Sequence, residues 1–513
     1  MEKQELIGKV LINRAILTTI ALLLQLGVLI GMIVFFSDKF FIFYWLNIFL
    51  SVVVVFWIIN KRINPTFKIA WIVPIMLFPI FGGILYLYFG GNRMSRRQKK
   101  KMRAISENTR LYLQQKENVL RDQPEQSDFV NLSRYIRNYA MYPLYFEEKS
   151  LYLPMGEAKF AVLLKELEKA EKFIFLEYFI ISGGRMWEAI LDILRRKISE
   201  GVEVRIIYDD VGCLFTLPAK YNLRLEEMGI KCCVFNPLLP MLSPRLNNRD
   251  HRKIAVIDGK VGFTGGINIG DEYINGIEKY GHWKDTAIMI RGEAVWSLTV
   301  MFLTLWDYLR GIREDFKCFK VKESGAEIEV HNGFIQPFAD SPLDNEPVGE
   351  TIYLNIINRA NKYVYITTPY LIIDNEMLTA LTNAAKSGVD VRIITPFYPD
   401  KKMVHLVTRS HYKYLLDSGV KIFEYTPGFI HAKTFVSDDL SAVVGTVNMD
   451  YRSLYLHFEC GVWLYGSTTV GEVKEDFLVT LKKCRQVTRE DLKKIKWYYS
   501  LLASVLKIFS PLL

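Results

Sequence analysis

The sequence predicts an α/β protein built from two tandem, similar lobes, preceded by apolar segments long enough to enter a membrane. Three observations predict it. Uncharged apolar runs crowd the N-terminus of the 513-residue chain. Strand and helix signals alternate beyond about residue 150. Several stretches of the first half then recur, in the same order, in the second.

The N-terminal region, 1–92, holds three uncharged stretches, near 15–36, 40–59 and 69–89, the last broken by Pro74 and Pro79. About 20 apolar residues suffice for a helix to cross the hydrocarbon core. The first stretch is too long for a cleaved leader, and a second span follows at once, so it is read as retained. Three crossings put the N-terminus outside. Two crossings with a Pro-kinked re-entrant segment keep it inside, and both readings stay open. Residues 93–150 form a basic connector opening with Arg93, Arg96, Arg97, Lys99, Lys100, Lys101 and Arg103. Basic clusters beside a span mark the cytoplasmic side, so the chain after it is expected in the cytoplasm, on a multi-pass protein of the cell membrane.

The lobes are expected at 151–325 and 326–482, joined through a polar linker, with an amphipathic tail at 483–513. "GVEVRIIYDD" from Gly201 is echoed by "GVDVRIITPF" from Gly388, and "LEEMGIKCCVF" from Leu225 by "LLDSGVKIFEY" from Leu415. Matches in one order at one long spacing mean a domain-sized duplication. Apolar strands following amphipathic helices suggest βα units and a largely parallel sheet. The tail, "WYYSLLASVLKIFSPLL" from Trp497, suits a membrane surface as a helix.

Net charge is +10, from 65 Lys and Arg against 55 Asp and Glu. Topology and solvation explain much of it, and attraction to anionic lipid headgroups is the functional reading. Nucleic acid is not an expected partner, because a soluble polyanion requires no membrane segments. The six cysteines form no CxxC pair, so reduced thiols and no metal or other cofactor are expected. A homo-oligomer is compatible with the sequence.

The chemistry lies in a doubled motif. One copy reads His251, Lys253, Asp258, Gly265, Gly266, Asn268; the other reads His431, Lys433, Asp438, Gly445, Thr446, Asn448. The spacings are the same in both. Residues two apart on a strand share a face, so each His projects with its Lys. Each Asp opens a turn, where a carboxylate can bond local amides. The small residues after the next strand let a ligand approach the backbone, and the Asn amide can donate to an oxyanion. Two copies face to face offer two imidazoles, two ammonium groups and two amides around one cavity. That is a kit for phosphodiester chemistry: one His attacks phosphorus, the other protonates the leaving alkoxide and then deprotonates the incoming alcohol. Lysines and asparagines stabilise the non-bridging oxygens. The remaining histidines, His282, His331, His405, His411 and His457, lack a partner copy and read as structural. Asp209 and Asp210 read as capping or turn residues.

The twin HxKxxxxD frames with GGxN and GTxN resemble the phospholipase D superfamily. "NPTFKIAWIVPIMLFPIFGGILYLYFG", "RDHRK", "GTVNMDYRSLYLHFE" and "FSPLL" are similar to bacterial cardiolipin synthases. The resemblance implies two phospholipase D-like α/β/α lobes related by a pseudo-two-fold, working without metal through a phosphohistidine. It implies transfer of a phosphatidyl group from one phosphatidylglycerol to another, giving cardiolipin and glycerol. It makes His251 the nucleophile and His431 the acid and base, with Asp285 and Glu459 at the positions that orient the imidazoles. Asp258 and Asp438, counted with the catalytic motif, then hold it together rather than touch substrate. Asn268 and Asn448 are the expected phosphate-binding amides. Gly266 stands where Ser is common in the superfamily, which removes a hydroxyl but keeps the small size. A membrane-bound phospholipase D hydrolase, another phosphatidyltransferase and a nuclease are the alternatives.

Overall fold

The computed structural model describes residues 41–77, 109–114, 128–147, 149–238, 247–321, 333–344 and 346–512, with scattered positions in 23–35 and 82–86. Most of the apolar stretch 15–36, the end of the stretch 69–89, the basic cluster 93–103 and His331 lie outside the described residues.

Helix Phe41–Ile59 and helix Pro65–Leu77 form an apolar hairpin. Asn64 closes the turn, its side chain accepting the Thr66 amide at 3.0 Å, and Pro65 takes the first helical position, where no amide proton is needed. The first helix turns Trp45, Phe49, Phe56 and Trp57 outward, all exposed. Among the described residues, no helix is long and apolar enough to cross a membrane. The expected spans are therefore not shown.

Two mixed sheets follow. Across the first, the order is Lys149–Leu153, Ala287–Arg291, Val261–Gly265, Lys253–Ile257, Phe173–Tyr178, Glu203–Asp209 and Lys231–Phe235. The second repeats this order with Phe334–Asp340, Glu459–Tyr465, Ser441–Gly445, Thr434–Ser437, Tyr363–Thr367, Asp390–Pro396 and Lys421–Tyr425. Tyr145–Phe146 and Cys484–Gln486 extend its two edges. The duplication is thus a duplication of topology. Tyr145–Phe146, in the stretch read as connector, and Cys484–Gln486, in the stretch read as tail, both pair with the second sheet.

The largely parallel sheet expected from sequence is corrected. In each repeated set only the last three strands run parallel; the other pairings are antiparallel. The reason is local. Lys260 N donates to Ile257 O across a turn whose central residues, Asp258 and Gly259, have φ of 53° and 66°. Leu440 N and Ser437 O close the same turn around Asp438 and Asp439, at 55° and 61°. Two left-handed residues make the type I′ turn that joins antiparallel neighbours.

Helix Val295–Arg310 is buried along most of its length. Its core cluster includes Phe175 and Val256 of the first sheet and Phe338 and Val443 of the second. Helices Gly156–Glu168 and Arg185–Ser199 cover the first sheet's other face through a separate cluster. The C-terminal helix Trp497–Ile508 packs on helix Lys402–Asp417 and on the hairpin helix Pro65–Leu77.

Candidate active site

The segment leading into each motif His pairs with the segment leading into a carboxylate of the other lobe. Gly428–Ile430 runs parallel to His282–Lys284, and Asp250 bridges Phe458. The amide of His251 donates to Phe458 O at 2.9 Å, and that of His431 to Lys284 O at 2.7 Å. One residue beyond each acceptor stands the carboxylate, and both carboxylates are completely buried. His251 Nδ1 therefore meets Glu459 at 2.9 and 3.0 Å, and His431 Nδ1 meets Asp285 Oδ2 at 2.7 Å. The pairing is crossed: each imidazole comes from one lobe and its carboxylate from the other. A proton held on Nδ1 by the carboxylate leaves Nε2 as the basic atom.

The two lysines follow their histidines on the same faces. Lys253 Nζ donates to His251 O at 2.5 Å, and Lys433 Nζ donates to His431 O. Both side chains are buried.

Asp258 and Asp438 do not reach this cavity. Asp258 accepts from the amides of Glu171, Lys172 and Phe173 at 2.7–2.9 Å. Asp438 accepts from those of Asn361, Lys362 and Tyr363 at 2.6–2.9 Å. The amides are not local: they belong to the loop that opens the neighbouring strand. The carboxylates sit at the far end of the motif strand, seven residues from the imidazoles and so on the order of 20 Å away at ~3.3 Å per residue. Truncating Asp258 leaves three partly buried amides without an acceptor. We expect Asp258→Ala to lower stability by about 2–4 kcal/mol, read as a fall in Tm with the imidazole chemistry of the surviving folded protein intact.

The asparagines, expected to bind phosphate, are engaged elsewhere. Asn268 accepts the Ile180 amide at 3.0 Å and donates to the Tyr273 hydroxyl at 2.8 Å. Asn448 donates to the Ser453 hydroxyl at 3.1 Å. Asn268 thus ties Ile180 to Tyr273, and Asn448 holds the start of the helix that contains Ser453.

The Gly266 and Thr446 difference has a physical cause. A Cβ at Gly266 would lie 2.1 Å from Asp285 Oδ1, so a side chain there would push the Asp285 carboxylate from its present place. The hydroxyl of Thr446 instead bonds Glu459 Oε2 at 2.5 Å. The shorter carboxylate faces the bare backbone, and the longer one has a hydroxyl to lean on.

His457, read as structural, belongs to the site. Its ring centroid is 5.6 Å from that of His251, and its Nδ1 is 3.8 Å from Glu459 Oε1. The signal was present: His457 and Glu459 are two apart, so an extended backbone puts them on one face. His251, His457 and Glu459 also offer three donor atoms within 4.8 Å of one another, donor types suited to a transition metal. Glu459 is already committed to His251 and Thr446, so an ion there would displace the bond that orients His251.

The family description "Cardiolipin synthase, PLD-like domain" matches residues 163–296 and 353–480, one stretch in each lobe. The description "Phospholipase_D-nuclease N-terminal" matches 49–91. A cardiolipin synthase of Geobacillus thermodenitrificans is 36% identical over 90% of this chain and 92% of its own. One from Halalkalibacterium halodurans is 36% identical over 88% of this chain and 90% of its own. The chain belongs to the PLD-like cardiolipin synthase family. A protein of Streptococcus mutans serotype c, named only as uncharacterized, is 46% identical over 90% of this chain and 99% of its own. The crystal structure of a phosphatidylserine synthase from Haemophilus influenzae shares the fold, with TM-score 0.57 and 15% identity over 75% of this chain and 98% of that one.

In this cardiolipin synthase family member the buried site discourages positive charge. Burial holds the His251 imidazole well below its ordinary pKa, and Lys253 pushes the same way. Burial and Lys433 bring His431 down to about 4 against the pull of Asp285. Burial lowers Lys253 to about 8 and Lys433 to about 7. The carboxylates differ. Burial raises Asp285, but Lys433 and His431 outweigh it and hold it below the usual carboxylate range. Burial keeps Glu459 well above that range.

These shifts have a thermodynamic sign. A folded-state His pKa below the unfolded value of about 6.5 means the unfolded chain binds more protons between the two. Stability is then lost as pH falls from about 6.5 through the folded value, about 4 for His431 and His405 and about 3 for His411. Carboxylates raised by burial, such as Asp340 to about 8 and Glu350 to about 9, act with the opposite sign. The imidazoles are therefore best followed directly by NMR. His431 should stay neutral from about pH 7.5 to 5, and titration of its ring near about 6.5 would contradict a neutral buried imidazole.

Proposed function

We propose that this chain moves the phosphatidyl group of one phosphatidylglycerol onto the terminal hydroxyl of a second, releasing glycerol and forming cardiolipin. The observation that carries the mechanism is the crossed pairing. Neither lobe holds a complete half-site, because each motif imidazole takes its orienting carboxylate from the other.

Nε2 of His251 attacks phosphorus. The N–P bond forms as the glycerol O–P bond breaks, and His431, which takes up a proton on Nε2 when the phosphodiester anion enters beside it, gives that proton to the departing oxygen. The second phosphatidylglycerol then offers its hydroxyl. His431 takes the proton, the new O–P bond forms, and the N–P bond breaks to free His251. The unlike carboxylates support this division of labour. An ionised Asp285 beside His431 stabilises the imidazolium that carries the proton. Glu459, accepting the Nδ1 proton of His251, leaves Nε2 free to attack. Lys253 and Lys433 sit where they can serve the non-bridging oxygens. Burial lowers the pKa of both, and an arriving phosphodiester anion favours their protonation. We assign Asn268 and Asn448 to the phosphate as well, on rearrangement of their present bonds.

The lobes, proposed at about 151–325 and 326–482, act on lipids at the cytoplasmic face of the cell membrane. Residues 1–92, with segments near 15–36, 40–59 and 69–89, provide the multi-pass anchor. The outward apolar side chains of helix Phe41–Ile59 support this, as do exposed Trp497, Tyr498, Tyr499, Leu501 and Leu502 on the C-terminal helix. An apolar setting favours a lipid alcohol over water as acceptor.

Purified protein incubated with phosphatidylglycerol in mixed micelles tests the reading. Cardiolipin and glycerol in equal amounts are expected. Phosphatidic acid as sole lipid product would make the chain a hydrolase, and DNA cleavage without lipid turnover would sink both.

A further inference from the structure

A phosphoryl group leaves an imidazole readily only while the other ring nitrogen keeps its proton. The ring then departs neutral, whereas without that proton it would depart as an anion. In the proposed reaction the proton in question is on His251 Nδ1, facing Glu459. Glu459 must therefore hold that proton by a hydrogen bond without removing it. Burial works against this, because it favours the neutral carboxylic acid.

His457 stands where it can oppose that loss. Arg452 Nε donates to His457 Nε2 at 3.4 Å. A ring nitrogen that accepts carries no proton, so neutral His457 has its proton on Nδ1. That nitrogen is 3.8 Å from Glu459 Oε1, beyond hydrogen-bond length. Among the described residues it has no hydrogen-bond partner, although the His457 side chain is only 11% exposed. A movement of about 0.8 Å would close an ordinary bond to Oε1. The other oxygen, Oε2, already takes the Thr446 hydroxyl at 2.5 Å.

The position breaks the pseudo-symmetry of the site. Two residues before Glu459 stands His457, and two residues before Asp285 stands Trp283. The two rings are placed alike. His457 lies 5.6 Å from His251, centroid to centroid, and Trp283 lies 5.6 Å from His431. Packing alone would be served by an indole in either place. The half-site of the proposed acid and base has the indole, and its carboxylate takes a backbone amide, Thr286 N to Asp285 Oδ1 at 2.8 Å. The half-site of the proposed nucleophile has a second imidazole turned toward its carboxylate.

We propose that His457 is a positioning residue for the phosphohistidine stage: its Nδ1–H closes onto Glu459 Oε1 as the N–P bond forms, which keeps Glu459 a carboxylate and keeps the Nδ1 proton on His251. The second phosphatidylglycerol then attacks phosphorus and His431 takes its hydroxyl proton. The N–P bond breaks with its electron pair returning to Nε2, and His251 is again a neutral imidazole with its proton on Nδ1. No proton passes through His457. This rests on the phosphatidyl-transfer reading.

The test uses the full chain in mixed micelles and a phosphatidyl substrate labelled at phosphorus, with a nitrophenolate leaving group. Release of nitrophenolate reads formation of the phosphatidyl-enzyme. Loss of protein-bound label on adding phosphatidylglycerol reads its breakdown. His457→Phe keeps an aromatic ring and loses the donor. It should slow breakdown relative to formation by about tenfold, the scale of one hydrogen bond to a charged group, so that phosphatidyl-enzyme accumulates. His457→Asn carries an amide nitrogen as many bonds from the backbone as Nδ1, and it should recover most of the loss. Unfolded protein lowers the amplitudes and leaves the ratio of the two rates, and His457→Leu gives the same reading where the Phe variant does not fold. A ratio that His457→Phe leaves unchanged, or that His457→Asn fails to restore, overturns the proposal and leaves His457 a packing role. Wild-type protein that turns over the substrate with no protein-bound label overturns the underlying reading instead.

Discussion

Replacing His251 with alanine removes the nitrogen proposed to attack, and turnover of phosphatidylglycerol should fall by at least ~10³-fold, with no covalent lipid on the enzyme. Replacing His431 with alanine should cost a similar factor with the natural glycerol leaving group, which needs a proton as it departs. The two variants should separate on a substrate whose leaving group is already a stable anion, such as a nitrophenolate. His431→Ala should still form the phosphatidyl-enzyme from that substrate and then stall, because the incoming alcohol keeps its proton. His251→Ala should form nothing. The opposite pattern would exchange the two roles. Both side chains are buried beside the interlobe contacts, so Tm of each variant should be measured alongside the rates.

Removing one orienting carboxylate should disable the histidine of the other lobe. Asp285→Asn turns a charged acceptor for His431 Nδ1 into a neutral amide, and it should resemble His431→Ala: phosphatidyl-enzyme accumulates and release is slow. Glu459→Gln should resemble His251→Ala: the covalent intermediate forms slowly or not at all. Losses of roughly 10²–10⁴-fold are expected, the range in which a positioned acid or base acts. A double-mutant cycle sharpens this. Asp285 should couple to His431 across the lobes and not to His251, although Asp285 and His251 share a lobe. Coupling within lobes instead would mean that the crossed bonds of 2.7 and 2.9 Å are not those used in turnover.

Much of the fold can be read from the chain because duplication writes it twice. Two alternating apolar strands around an Asp-initiated turn, found in both halves, mark the hairpin that carries His and Lys. The direction of the other strands is harder to read. Runs such as "IAVID" are apolar on both faces, which suggests a parallel interior strand. Here Ile254 and Val256 face the core shared with helix Val295–Arg310 and the opposite lobe, while Ala255 and Ile257 face the separate cluster under helices Gly156–Glu168 and Arg185–Ser199. Asp258 shows a second limit. Its turn is legible, but its amide partners lie more than 80 residues earlier, in a loop that only strand pairing brings near. The crossing of Asp285 and Glu459 depends on how the lobes dock, and no spacing within one lobe encodes that. His457 was within reach of the same two-residue rule that located the lysines. Gly266 is explained only by the 2.1 Å that a side chain there would leave to Asp285.

The most direct test is to trap the enzyme during turnover. Phosphatidylglycerol labelled at phosphorus is mixed with protein, quenched in base, and the labelled peptide is sequenced. A base-stable, acid-labile label on His251, lost on adding unlabelled phosphatidylglycerol as cardiolipin appears, is the predicted result. Cardiolipin formation at full rate with no protein-bound phosphorus, or with the label on a residue other than a motif histidine, would contradict it.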